Sequence, residues 1–153
     1  MRPRALAAIL AGSIAATGCG GHTATKQDVI ARANAICFTA LQGVRSLAPP
    51  TAGSASLASL SAYLRKVVPI VERKAASTRA LPRPPQDRAV LNRYVAAVSA
   101  AGTEYRALSS AAARGDRAAV AQALSALRAN AATALATQYG LVQCAASAGT
   151  GVS

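Results

Sequence analysis

The stretch TKQDVIARANAIC, residues 25–37, decides the fold. Thr25 is followed three residues later by Asp28, the spacing of a capping box at a helix start. Val29, Ala33, Ile36/Cys37, Ala40/Leu41, Val44 and Leu47 then recur at steps of three and four. That period lays one apolar stripe along a helix. Arg32, Gln42 and Arg45 fall away from its centre, and Ala48-Pro49-Pro50 ends the run. The spacing predicts a first helix from Thr25 to about Leu47.

The same period recurs downstream. A second helix is expected from Ser54 or Ser56, carrying Leu57, Leu60, Leu64, Val67/Val68, Val71 and Ala75. Pro69 falls inside it. Proline removes a backbone donor and crowds the preceding turn, so a kink or break is expected there. Such a bend either wraps the helix around the core or opens a groove. Leu81-Pro82-Arg83-Pro84-Pro85 is a stiff connector, with Pro85 in the first turn of a third helix and Asp87 favourable to its dipole. That helix carries Leu91, Tyr94/Val95, Val98, Ala101, Tyr105, Leu108 and Ala112. Gly115 stops it and Asp116 caps a fourth, with Val120, Leu124, Leu127, Ala131, Leu135 and Tyr139 on its stripe and Gly140 at its end. No segment sustains a period-2 alternation. Short connections between long amphipathic helices make antiparallel neighbours. The expected fold is all-α: an antiparallel up-down four-helix bundle over 25–146, preceded by a signal peptide and followed by a disordered tail at 147–153.

The 153 residues suffice for one domain with a core of its own. Apolar residues make up 52%, much of it alanine, and aromatics 3%, so the core should be thin and its helices closely approached. The net charge is +12; losing Arg2 and Arg4 with a leader leaves 15 basic against 5 acidic residues, or +10. Such a charge favours anionic partners. The basic residues are dispersed and few aromatics are present to stack on bases, so no nucleic-acid partner is expected.

Residues 1–18 have the pattern of an export signal. Arg2 and Arg4 form a basic start, and Ala5 to Ala16 an apolar run of roughly a dozen residues, short for a membrane-spanning helix. Ala16-Thr17-Gly18-Cys19 follows directly. It resembles the lipobox of bacterial lipoproteins, with Ala16 where that family most often has leucine. The resemblance implies a diacylglycerol on the Cys19 sulfur, cleavage just before Cys19, a tether over 19–24, and attachment to the extracytoplasmic face of the cell membrane. Two or more acyl chains anchor stably where one does not. The alternatives are ordinary cleavage near Ala16, giving a secreted protein, or an uncleaved anchor.

Export also places Cys37 and Cys144 in an oxidising compartment, where cysteines pair. The two are 107 residues apart. Cys37 lies about 16 Å along the first helix at 1.5 Å per residue. A chain folding back from Gly140 covers up to about 17 Å in five residues. A Cys37–Cys144 bridge therefore fits if Gly140 is a true break and Leu141 and Val142 pack over the bundle end. A metal reading is poor, since the only histidine is His22 and no C-x₂-C spacing occurs. The lipobox, the tether, "ANAIC" in the first helix and "YGLVQCA" near the end together resemble small helical lipoproteins and secreted proteins of high-GC Gram-positive bacteria. That resemblance implies the bundle and the bridge but no reaction.

The acids are Asp28, Glu72, Asp87, Glu104 and Asp116. Three read as helix-start residues, and Glu72 and Glu104 have basic neighbours in sequence. With one histidine and no nucleophile motif, neither an enzyme nor a cofactor is expected. Tyr94 and Tyr105, three turns apart on one face, read as core residues with hydroxyls at the rim. The expected function is that of a non-catalytic, membrane-anchored envelope lipoprotein with a structural or interaction role; the alternatives are a carrier or sensor with an apolar cavity, and a module binding anionic lipid or polymer through Arg65, Lys66, Arg73, Lys74, Arg79, Arg83 and Arg88.

Overall fold

In the computed structural model, residues 24–50 and 56–146 are described. The leader, Cys19 and most of its tether, the 51–55 loop and the 147–153 tail lie outside them.

The capping box at Thr25 forms as its residues dictate. Thr25 Oγ1 accepts the Asp28 N–H at 3.2 Å, and the Asp28 carboxylate accepts the Thr25 N–H at 2.8 Å. Helix α1 spans Lys26–Arg45. Its buried positions, Val29, Ala33, Cys37 and Leu41, are the centre of the expected stripe. Helix α2 spans Leu57–Arg79 and starts at Ser56, whose side chain exchanges the same pair of bonds with Ser59. Of the kink or break expected at Pro69, the break does not occur: the helix runs through it. Pro69 is exposed, so the carbonyl deprived of its donor lies on the side open to water.

Leu81 is buried and anchors the connector. Pro85–Asp87 forms a separate 3₁₀ turn rather than the first turn of the third helix. Helix α3 spans Arg88–Ala113. It ends in a Schellman motif: Gly115 adopts φ +72°, the Asp116 N–H donates to the Ala111 carbonyl, and the Gly115 N–H to that of Ala112. Asp116 then caps helix α4, Arg117–Arg128, by accepting the Ala119 N–H at 3.0 Å.

The expected fourth helix is in fact two. Helix α4 stops at Arg128, and α5 runs Ala132–Tyr139. Asn130 causes the break. Its Nδ2 donates to the Ala97 carbonyl on α3 at 3.0 Å, while its Oδ1 accepts the Ala132 N–H at 2.8 Å. A side chain that bonds the backbone competes with the helix ladder. Ala131, expected in the core, is consequently exposed. Gly140 ends α5 at φ +89° with a second Schellman pair, Leu141 N–H to Ala136 and Gly140 N–H to Thr137. A short helix α6, Val142–Ala146, follows. It includes Ala145 and Ala146 and ends where the expected tail begins. Leu141 packs into the core as expected, but Val142 does not: it is 65% exposed.

The described residues are all-helical, with α3 at the centre against α2, α4 and α5. Helix α1 packs mainly on α2 and α6 instead of lying along a long fourth helix. The ring is closed by chemistry: a disulfide joins Cys37 on α1 to Cys144 on α6, with Cα atoms 5.0 Å apart. The Lys26 ammonium sits 4.9 Å over the Tyr139 ring, bringing the start of α1 to the end of α5. Among the described residues no helix is long and apolar enough to cross a membrane.

Two buried clusters make the core. One gathers Val29, Cys37, Leu91, Tyr94, Tyr139 and Leu141 around the disulfide. The other gathers Leu64, Leu108, Ala111, Ala112, Val120 and Ala123.

Candidate functional site

Between the two clusters the helices do not fill the interior. Two adjoining cavities, about 120 Å³ and about 210 Å³, share Lys74, Val98, Ala101, Tyr105 and Ala132 as walls. The smaller opens toward α1 and α2, past Leu41, Val44, Leu64, Val67 and Ile70. The larger opens toward α4 and α5, past Leu124, Leu127 and Asn130, and reaches Cys144 of the disulfide. The cause is local. Ala40, Ala101 and Ala132 stand where longer side chains close such a space, and the break at Asn130 turns the fourth segment before it can cover α1. Interiors of larger apolar residues pack with few voids above the size of a water molecule.

The smaller cavity is mostly apolar, whereas the larger also has Tyr94, Arg128, Asn130 and Thr133 on its wall. Tyr105 and Tyr63 line the smaller one. Burial raises the Tyr105 hydroxyl pKa, and the neighbouring Tyr63 adds to the shift. Lys74 also lines it, and burial holds its ammonium pKa below the ordinary lysine value. Its backbone carbonyl accepts the Thr78 hydroxyl at 2.7 Å. Lys74 also borders a groove on the outer face of α1 and α2, with Lys66, Arg73, Ile36, Ala40 and Ile70. The two helices approach closely there: a methyl placed on Gly43 meets Ile70 Cδ1 at 3.3 Å. One lysine thus stands at the junction of outer groove and inner cleft.

The seven basic residues read from the sequence do not form one patch. Lys66, Arg73 and Lys74 share the α1–α2 groove. Arg65 is exposed. Arg79 and Arg73 line a groove between α2 and α3, beside Pro69; Arg79 also donates to the Ser99 hydroxyl at 3.4 Å. Arg83 donates to the Leu81 and Arg79 carbonyls and so closes the end of α2. Arg88 is exposed at the start of α3.

The acids are placed differently from their sequence neighbours. Arg106, two residues after Glu104 in the chain, pairs instead with Glu72 across α2 and α3 at 3.1 Å. Asp87 makes no capping bond for α3; its carboxylate accepts the Tyr139 hydroxyl at 2.8 Å. Burial, and then that bond and the Asp87 charge, raise the Tyr139 pKa. Tyr94 is fully buried, its hydroxyl 3.7 Å from Cys37 Sγ and not at a rim, with a pKa pushed up to about 12. Cys19 and His22 lie outside the described residues, among which no group of three His, Cys, Asp or Glu is placed to hold a metal ion.

Sequence reading offered an apolar cavity as one alternative but did not place it, and it held one clue to the place. Leu60, Leu64, Val67 and Val71 are followed at the next helical step by Lys74. A lysine on the apolar stripe is aimed inward by the period of the helix. The chain matches no protein-family model, no curated protein and no solved structure.

Proposed function

We propose that this chain is a non-catalytic binding module of the cell envelope, held at the extracytoplasmic face of the membrane by a diacylglycerol on Cys19. Its helical domain takes a small, largely apolar ligand into the cleft between the two core clusters. The cleft carries this reading. Ligand sites are concave, mostly apolar, and carry a few polar groups that fix orientation, and Lys74 and Tyr105 stand in such a wall. Four of the five acids support a non-catalytic role, because Asp28, Asp116, Asp87 and Glu72 are engaged with helix caps, Tyr139 and Arg106. The lipobox-like Ala16 to Cys19 supports the anchor.

A second reading, contact with anionic lipid or polymer, is favoured by the cluster of Lys66, Arg73 and Lys74 in one groove. Lipid-retaining mass spectrometry of the full chain from native membranes tests the proposal. The expected result is a diacylglyceryl-Cys19 fragment and a non-covalent small molecule that an Ala101→Leu variant no longer retains. An unmodified Cys19 rejects the anchor. Identical, ligand-free spectra for both proteins reject the carrier.

A further inference from the structure

We infer that the smaller cavity takes a neutral, single-ring molecule carrying one hydroxyl, its ring among aliphatic side chains and its hydroxyl at the phenols of Tyr63 and Tyr105. This rests on the proposal that the interior binds a ligand. It adds which cavity holds that ligand, how large it is and what group it carries.

Three observations support it. The first is size. The space is about 120 Å³. An apolar cavity of roughly 150 Å³ stays dry and binds benzene, so one six-membered ring fills this space and a second ring or a long chain does not fit. The second is the wall. Leu41 and Val44 from α1, Leu64, Val67 and Val71 from α2, and Val98 from α3 surround the space. The third is a pair of hydroxyl-bearing side chains. Tyr63 on α2 and Tyr105 on α3 both line this cavity, and they stand close enough for Tyr63 to raise the Tyr105 pKa. Neither hydroxyl has a hydrogen-bond partner among the described residues, and each oxygen keeps access to solvent. A phenol hydroxyl both donates and accepts, so either one suits a hydroxyl on a ligand.

The surroundings disfavour charge of both signs. Burial moves the Tyr105 pKa up and the Lys74 pKa down, which is the penalty an anion and a cation each meet on leaving water. Lys74, on the same wall, already interacts with other groups of the chain. A neutral hydroxyl needs only a hydrogen-bond partner in place of water.

Toluene matches phenol in shape and lacks the hydroxyl, so the pair isolates that group. An apolar space without a hydrogen-bond partner prefers toluene. Titrations of phenol, toluene, benzoate and benzylammonium are followed by NMR on the methyl-labelled full chain in phosphatidylcholine nanodiscs, with empty nanodiscs as blank. Wild type is expected to bind phenol at least as tightly as toluene, and both ions at least about tenfold more weakly. Tyr63→Phe/Tyr105→Phe keeps both rings and should shift the phenol-to-toluene affinity ratio about tenfold toward toluene. Nuclear Overhauser effects from the bound phenol ring should reach the methyls of Val44 and Val71, and not those of Leu124 and Leu127, which line the larger cavity.

A wild-type preference for benzoate overturns the neutral ligand, and contacts to Leu124 and Leu127 alone overturn the choice of cavity; in both cases ligand binding in the interior stands. A ratio unchanged in the double variant overturns the assignment to the two hydroxyls. If no compound binds above the blank, the inference falls, while the carrier reading is decided separately by what the native chain retains from its membranes.

Discussion

Breaking the Cys37–Cys144 bridge should remove a large share of this domain's stability. The bond closes a loop of 107 residues, joining α1 near one end of the described chain to α6 near the other. Chain-entropy models assign a loop of that length about 4.7 kcal/mol of destabilisation of the unfolded state. The rest of the fold is poorly placed to absorb the loss. Six of the twenty buried apolar residues are alanine, and the interior between the clusters is incompletely filled. Helix α6 has only five residues, too few to hold its place by its own hydrogen bonds. Both sulfurs are buried, so a Cys37→Ala/Cys144→Ala double variant loses packing as well as the bond. Reduced wild-type protein keeps both sulfurs and isolates the bond. Guanidinium unfolding, followed by far-ultraviolet circular dichroism, should show a loss of about 3–5 kcal/mol on reduction. With a denaturant slope of roughly 3 kcal/mol/M, the midpoint falls by about 1–1.7 M. The slope should also rise, because the uncrosslinked unfolded chain exposes more surface. A midpoint that moves by less than about 0.3 M would refute the reasoning and mean that α6 is held by contacts other than the bond.

Asn130→Ala should cost about 1–2 kcal/mol, since one side chain both starts α5 and ties the break to Ala97; a loss confined to a few tenths in urea unfolding would mean that the break is set by neighbouring packing. Leu141→Ala should cost about 2–5 kcal/mol and Val142→Ala less than about 0.5, although the residues are adjacent, because Leu141 is fully buried and Val142 points outward; similar losses would contradict the direction in which α6 leaves Gly140. For Tyr94, burial makes the folded chain hold the phenol proton more tightly than the unfolded chain, from an ordinary pKa of 10.0 up to about 12. Its contribution is therefore whole below pH 10 and lost as pH rises from 10 toward 12. The stability difference between wild type and Tyr94→Phe should be constant below pH 10 and shift against the wild type as pH rises toward 12; parallel curves throughout that range would show that the hydroxyl stays in water.

The helix starts were legible in the sequence because each is a local event. Thr25, Ser56 and Asp116 bond to backbone donors three residues away, and the αL turns at Gly115 and Gly140 need a residue without a Cβ. The inward stripes were legible for the same reason, since 3.6-residue periodicity is a property of one helix. Asn130 was not. Its neighbours carry an uninterrupted stripe, and what ends α4 is a carbonyl on α3, 33 residues earlier. Pro69 erred in the opposite direction. Sequence registers the missing donor but not that the bare carbonyl faces solvent. The seven basic residues were visible as a composition, but which of them share a groove depends on how α1 lies on α2.

The sequence by itself determined an all-helical chain, its caps and stops, and a cysteine pair whose spacing suits a closing bridge. Each follows from interactions within a few residues or from the chemistry of the side chain alone. Tertiary structure decided that the fourth segment breaks, that α1 closes on α6 through the disulfide, and that two adjoining cavities lie between two small clusters. A void is bounded by residues from several helices at once. Alanine at positions 40, 101 and 132 reads in sequence as good helix former, and only the placing of three helices around them makes it the absence of a wall.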